Sequence, residues 1–339
     1  MTSINTHNYC LVCKNSNLAK LDYINEPFYD EEVINFSKLN IIYCHDCGFG
    51  WSIPEIQIEL LNKFYKDIYR SNGQPHFINF SRLYRPKFSQ CTIAIEHLCL
   101  ARLFTAVDSG DSLLDIGPGP GWHFQAARSL LENPKLYALE YNFGASEAYK
   151  KLYDVNSFIN IEDLRSNVKH KMKFIVASHS LEHFKYNDLI EFLTDIKTIL
   201  MDDGVFIIEV PHVDMRTHSK YRGGDSPHLL FFSKKSLKSV LVSCGYEVKF
   251  IESTGQLYEV EDNQELSLKL SNNLTKWIKD LYKIIFPFWF RNSKFKISLK
   301  ALIFYLGSSS SKIKLSQLKT NYGGNRVALR VVAKKKQNI

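Results

Sequence analysis

Four cysteines near one end of the chain are spaced for a metal. Cys10 and Cys13 form one C-x2-C pair, and Cys44 and Cys47 form a second, followed at once by Gly48. Four thiolates fill the tetrahedral shell of Zn²⁺ and leave no position for a substrate water, so a structural rather than a catalytic Zn²⁺ is expected. The 30 residues between the pairs exceed the usual zinc-ribbon loop. A redox pair would need only one C-x2-C beside a strand–helix unit. Gly48 eases the backbone just after the second pair. Cys91, Cys99 and Cys244 fall on apolar faces and are expected in the core.

A second constellation is Leu113-Leu-Asp-Ile-Gly-Pro-Gly-Pro-Gly121, which brings Asp115, Gly117, Pro118, Gly119 and Gly121 into one run. The run follows an apolar strand and opens a helix. Glycine lets the backbone approach a ligand there, and the helix start offers unpaired N–H groups. Glu140 ends the next strand, 19 residues after Gly121, where a carboxylate can take both hydroxyls of a ribose. Asp115 separates two cofactor readings. A pyrophosphate loop does not want a carboxylate at its mouth, whereas a ligand carrying an ammonium and a sulfonium does. S-adenosylmethionine is therefore favoured over NAD. Ser178 and His179 end another strand and are expected to line the same pocket. Asp163, after the third strand, is the expected adenine-side residue.

Histidines supply the candidate acid–base chemistry. His228 is the first choice as general base, because imidazole titrates near the working pH, with Asp225 to orient it. His183 is expected in the substrate pocket, and His212 is held in reserve. The run His179-Ser-Leu-Glu-His183 also spells H-x-x-E-H, a zinc-protease signature. That motif belongs on a helix, and here it directly follows a strand.

These residues need a scaffold, and the hydrophobic pattern supplies one. Strands are expected at 112–116, 136–140, 174–178, 205–210, 247–252 and 327–333. Helices are expected over 86–104, from Gly121 through Leu131, over 189–200 and over 234–244, the last closed by Gly245. Ser52, with Glu55 three residues on, looks like a capped helix start. Such alternation implies an α/β fold with a largely parallel sheet. The expected organisation is a cysteine module over 1–53, a helical linker or cap over 54–110 and a core over 111–256. A helical insertion over 257–322 and a last strand with a basic tail over 323–339 complete it. Trp and Phe beside Lys and Arg at 277–305 suit peripheral contact with a lipid surface.

Composition narrows the class. The 339 residues are 45% apolar and 23% charged, values of a folded globular chain that exclude disordered, collagenous and coiled-coil classes. The net charge of +8 allows an anionic partner, but no run of five basic residues marks a nucleic-acid surface. No stretch approaches the roughly 20 apolar residues of a membrane span, and no signal peptide is visible, so a cytoplasmic location is expected.

The combination resembles class I SAM-dependent methyltransferases. Asp115-Ile-Gly-Pro-Gly-Pro-Gly121 resembles their first motif, and Glu140 matches their ribose-binding acid. Phe174 to Phe184, with Leu181-Glu-His183, resembles their fourth-strand segment. Leu200 to Gly204 with Phe206 to Pro211, and His228 to Ser233, resemble their later segments, in the last of which a histidine belongs to the active site. A four-cysteine module ahead of this core resembles bacterial methyltransferases of sugar and surface-glycan pathways, including deoxysugar C-methyltransferases. The resemblance implies a seven-stranded Rossmann-like sheet and a module that helps shape the substrate site. It further implies methyl transfer to a sugar, nucleotide-sugar or glycan precursor. The C-methyltransferases carry a further C-terminal domain, where the 257–322 insertion stands here, and O-methyl transfer is expected at least as readily. An RNA methyltransferase and a non-catalytic SAM-fold scaffold are the competing readings.

Overall fold

A computed structural model describes residues 8–25, 33–87, 90–218, 224–257 and 326–337. In chain order, β1 (Leu18–Asp22), β2 (Asn40–Cys44) and β3 (Gly50–Ile53) come first. Next, α1 (Ile58–Lys63) runs into a π-helical turn, Phe64–Ile68, and α2 (Thr92–Ala101) follows. Then β4 (Ser112–Ile116), α3 (Trp122–Leu130), β5 (Lys135–Leu139), α4 (Phe143–Tyr153), β6 (Asn156–Phe158) and α5 (Ile161–Asn167) alternate. After β7 (Met172–Ser178) come a 3-10 turn, Leu181–His183, then α6 (Tyr186–Ile199), β8 (Leu200–Pro211) and α7 (Met215–His218). The described chain ends with β9 (Leu230–Phe231), α8 (Lys234–Ser243), β10 (Tyr246–Leu257) and β11 (Arg326–Lys335).

Seven strands make one sheet in the order β10-β11-β8-β7-β4-β5-β6. Strand β11 is antiparallel to both its neighbours, and β8, β7, β4, β5 and β6 run parallel. Parallel strands are covered on both faces and read as continuous apolar runs; all five residues of β4 are buried. Two apolar clusters fill the two faces, one around Ile175 and Leu193, the other around Phe124 and Phe174. Side-chain caps start the helices where the sheet needs them. Asn142 accepts from Ala145 N, Asn160 from Asp163 N, and Ser233 forms a capping box with Ser236.

A second sheet, in the order β1-β2-β3-β9, is antiparallel throughout. Its last strand belongs to the segment after β8, so the cysteine module is built into the core rather than appended to it. A third apolar cluster, with Phe36, Phe64 and Phe231, lies under this junction.

The structure corrects three expectations about elements. Ser52 caps no helix: it lies in β3, donating its N–H to the Leu229 carbonyl at 2.9 Å, and α1 begins later, after Gln57. The long helix expected over 86–104 is the shorter α2; ahead of it Gln90 N donates to the Lys87 carbonyl and Lys87 N to Gln90 Oε1. Strand β8 begins at Leu200, ahead of the strand expected at 205–210. Gly204 fits there because a Cβ would come within 2.9 Å of the Lys173 carbonyl. The insertion over 257–322 and the run at 277–305 lie outside the described residues, apart from Leu257, which ends β10. Among the described residues no helix is long and apolar enough to cross a membrane.

Candidate functional site

The four cysteines converge. All four Sγ atoms lie within 4.8 Å of one another, with Cys10 to Cys47 at 3.6 Å and Cys13 to Cys44 at 3.5 Å. A Zn–S bond of about 2.3 Å gives a tetrahedral edge of about 3.8 Å, so the spacing fits one ion. Both pairs turn in the same way. Lys14 N donates to the Cys10 carbonyl and Gly48 N to the Cys44 carbonyl. Lys14 and Gly48 both take left-handed φ, +63° and +73°. A side chain at position 48 would strike Asp214, which explains glycine there and lysine in the looser first turn.

The glycine run lies at the carboxyl end of β4, where the strand order reverses and the connections after β4 and β7 leave a crevice. Gly117, Gly119 and Gly121 all have positive φ. Close packing explains two of them. A Cβ on Gly117 would meet Ser180 Oγ at 3.0 Å, and one on Gly121 would meet Tyr153 at 3.2 Å. Ser180 Oγ donates to the Ile116 carbonyl at 2.8 Å, tying the two loops together. Tyr149 donates to the Gly119 carbonyl from behind. Glu140 is buried; its Oε1 accepts from Asn142 N at 3.0 Å, and its Oε2 has no partner among the described residues. Burial raises its pKa, opposed by the Arg70 charge. Arg70, from the turn after α1, places a buried, unpartnered Nη1 beside Gly119.

Behind the glycine run a row of polar groups crosses the core. Asp115 Oδ2 lies 2.9 Å from His123 Nδ1, His123 Nε2 is 2.9 Å from His97 Nδ1, and His97 Nε2 is 3.0 Å from Glu209 Oε2. Arg330 from β11 joins Glu209 at 2.6 Å and Glu96 at 2.8 Å. Every member except Glu96 is under a tenth exposed, so the row is a satisfied buried network that fixes the Asp115 carboxylate. Burial pushes His97 down to about 4 against the pull of Glu209. Glu209 stays well below the usual carboxylate range because His179 and His97 outweigh its burial.

The opposite wall carries the histidines. His179 follows β7 with φ of +53°, a strained conformation for a side-chain-bearing residue. Its ring lies between Glu182 Oε1 at 3.4 Å and Glu209 Oε1 at 3.5 Å. Burial opposes its charge, but the two carboxylates raise it to about 10. His183 Nδ1 is 3.0 Å from Tyr65 Oη; burial pushes this imidazole down to about 3, so it is neutral. The His183 and His228 rings lie 5.2 Å apart. The His228 segment is held by the cysteine module: Tyr23 Oη donates to the His228 carbonyl at 2.8 Å, and Ile24 N donates to Asp225 Oδ2 at 2.6 Å. Asp225 accepts the His228 N–H through its own carbonyl.

The two walls enclose a cavity of about 710 Å³, lined by Asp115, Gly117, Pro118, Gly119, Ser178, His179, His183 and His228. That is the size of a site for a drug-sized ligand. Glu140 and Gly121 are not among the lining residues. Asp163 lies in α5 with its carboxylate turned to Asn167 Nδ2 at 3.0 Å, and it does not line the cavity. His212 sets Nδ1 against the Arg326 carbonyl at 3.0 Å, also away from the lining. The 3-10 turn at Leu181–His183 keeps H-x-x-E-H off a helix. Sequence reasoning met Glu182 only as part of H-x-x-E-H and missed Arg70, Tyr65, His97, His123 and Glu209. Only His123, two residues past the last glycine of the run, carried a usable signal.

Residues 94–249 match the profile of a family described as a methyltransferase domain. No curated protein sequence matches this chain. Among solved structures, a SAM-dependent methyltransferase from Archaeoglobus fulgidus is 17% identical. The match covers 76% of this chain and 98% of that one, at a TM-score of 0.43. A mycolic acid cyclopropane synthase complexed with SAH and CTAB is 13% identical, over 76% of this chain and 94% of that one, at a TM-score of 0.42. No residue role carries across likenesses of this depth. The sheet order and the matched segment identify a methyltransferase-type Rossmann-like fold.

Proposed function

We propose that the protein transfers a methyl group from S-adenosylmethionine to a sugar, free, nucleotide-linked or part of a glycan precursor. The observation that carries this reading is the facing of the two walls across one cavity, glycine loop and Asp115 on one side, His183 and His228 on the other. The cofactor, when bound, supplies an electrophilic methyl on a sulfonium. The chain's residues fit it. Glu140 Oε2 is a buried acceptor without a partner, which a ribose hydroxyl would satisfy. Asp115 is held in place by its histidine row and suits an ammonium. The glycine loop leaves room for close approach.

His183 and His228 stand on the acceptor side, where an imidazole can take the acceptor's proton. Tyr69, Phe77 and Trp122 add flat surfaces to the cavity, on which the apolar face of a sugar ring can stack. The four cysteines hold a structural Zn²⁺ in this reading, and the module positions the His228 segment.

A labelled-methyl transfer assay over nucleotide-sugars and RNA side by side tests it. Label is expected in a sugar acceptor, and His228→Ala is expected to lower turnover by roughly 10²–10⁴ while cofactor affinity holds. Label in RNA alone, or tight NAD binding without SAM binding, overturns it.

A further inference from the structure

We propose that Glu182, His183 and His228 form a second metal site, taking one first-row divalent cation in the wall of the cavity. Each of the three offers a ligand atom, and these atoms lie within 4.8 Å of one another. Two imidazoles and one carboxylate are the donor set of open transition-metal sites, with positions left for water or a substrate oxygen. All three residues line the cavity, so those positions face it.

Glu182 supplies an independent reason. Its side chain is 1% exposed, and neither carboxylate oxygen has a hydrogen-bond partner among the described residues. The nearest cation is His179, whose Nδ1 stands 3.4 Å from Oε1, a long contact for a charge-assisted pair. A buried carboxylate held by so long a contact is poorly compensated, and a bound cation would compensate it. Ligation through Oε2 would leave Oε1 to His179, the arrangement by which outer groups orient metal ligands.

The other two ligands are held in the same manner. Tyr65 Oη lies 3.0 Å from His183 Nδ1 and 3.4 Å from the Pro227 carbonyl. The Tyr65 contact fixes the orientation of the His183 ring. Leu229 N donates to the Glu182 carbonyl at 2.8 Å, and Tyr23 holds the carbonyl of His228 itself. The two ligand segments are therefore locked together by backbone before any ion binds. The chemistry differs from that of the cysteine cluster. Thiolates select zinc, whereas imidazole with carboxylate accepts the wider first-row series. One consequence rests on the methyl-transfer reading: the acceptor would present an oxygen to the cation, and His228 would act as ligand to the ion that binds the acceptor.

Zinc-loaded protein titrated with Co²⁺ tests the site without any methyl acceptor. One equivalent is expected to bind with weak visible bands and no thiolate-to-cobalt charge transfer. Glu182→Gln and His228→Gln are each expected to weaken binding at least tenfold with the zinc content unchanged. His228 is only half-buried, so its variant keeps the test clear of folding effects. No Co²⁺ binding by the wild-type protein, binding unchanged in His228→Gln, or Co²⁺ seen only through thiolate charge transfer overturns the proposal. If Co²⁺ binds as expected but no acceptor is methylated, the metal site stands and the methyl-transfer reading falls. Methyl transfer without Co²⁺ binding means the reverse.

Discussion

The two walls of the cavity are built in opposite ways. The glycine wall is local: Asp115 to Gly121 are consecutive, and Glu140 ends the next strand. Parallel pairing of β4 and β5 brings it alongside. The histidine wall is assembled from a distance. The Tyr23 bond to His228 joins residues 205 apart in sequence, and the Ile24 bond to Asp225 joins residues 201 apart. One wall therefore depends on a strand–turn–helix unit that the sheet makes anyway. The other depends on the cysteine module staying folded.

The sharpest way to break this contrast is to remove the metal ligands. Cys44→Ser/Cys47→Ser is expected to lose the zinc and disorder the module, since metal binding and folding are coupled at roughly 10 kcal/mol or more in small zinc units. Turnover should fall by a factor on the order of 10² or more as His228 loses its anchor, while SAH affinity by calorimetry stays within a few-fold. Equal loss of both would show that the walls are not independent.

Acid should act on the glycine wall through its histidine row. His97 sits at about 4 in the folded protein and near 6.5 when unfolded. Above pH 6.5 both states are neutral and the full stability is present. As pH falls toward 4, the unfolded chain takes up a proton that the folded one refuses. Stability should drop by about 3 kcal/mol across that window and change no further from this group below it. Asp115, His123, Glu209 and Arg330 face the same row, so the comparison is with His97→Gln. Denaturant unfolding at pH 7 and pH 5 should show a shallower decline in that variant, and an identical decline would remove His97 as the cause.

Glu140→Gln tests the local wall alone. Loss of a charge-assisted hydrogen bond of about 1.5–3 kcal/mol should weaken SAM binding tenfold or more without changing bound zinc. Unaltered affinity would place the ribose elsewhere.

The smallest effect is at the seam. Ser233 Oγ accepts from Ser236 N to cap α8 and donates to the Cys47 carbonyl. Ser233→Ala should cost about 0.5–2 kcal/mol of stability and lower turnover slightly more than SAM affinity. A loss confined to SAM affinity would contradict the division of labour.

The same contrast explains what was legible. The strand at 112–116 and the glycine loop follow from a continuous apolar run meeting glycines, both short-range signals. The cysteine pairs were legible because the chemistry of one ion dictates their number and spacing. Ser52 misled because its local cap signal lost to pairing with a strand more than 170 residues later, as the Ser52–Leu229 hydrogen bond shows. Asp163 lies off the cavity lining, because position after the third strand says nothing of which way a side chain turns once α5 begins.

By itself the sequence determined the alternating α/β order, the four-cysteine cluster and the glycine wall. Each is written in residues a few positions apart or in a ligand count that stoichiometry enforces. Only the tertiary structure decided that Glu182 and His183 lie against His228, that Arg70 reaches Gly119, and that His97 and Glu209 back Asp115. Those contacts join different elements packed across the sheet and between the two sheets. Periodicity tells which face of an element is buried, but the partner met there is set by how all the faces close on one core.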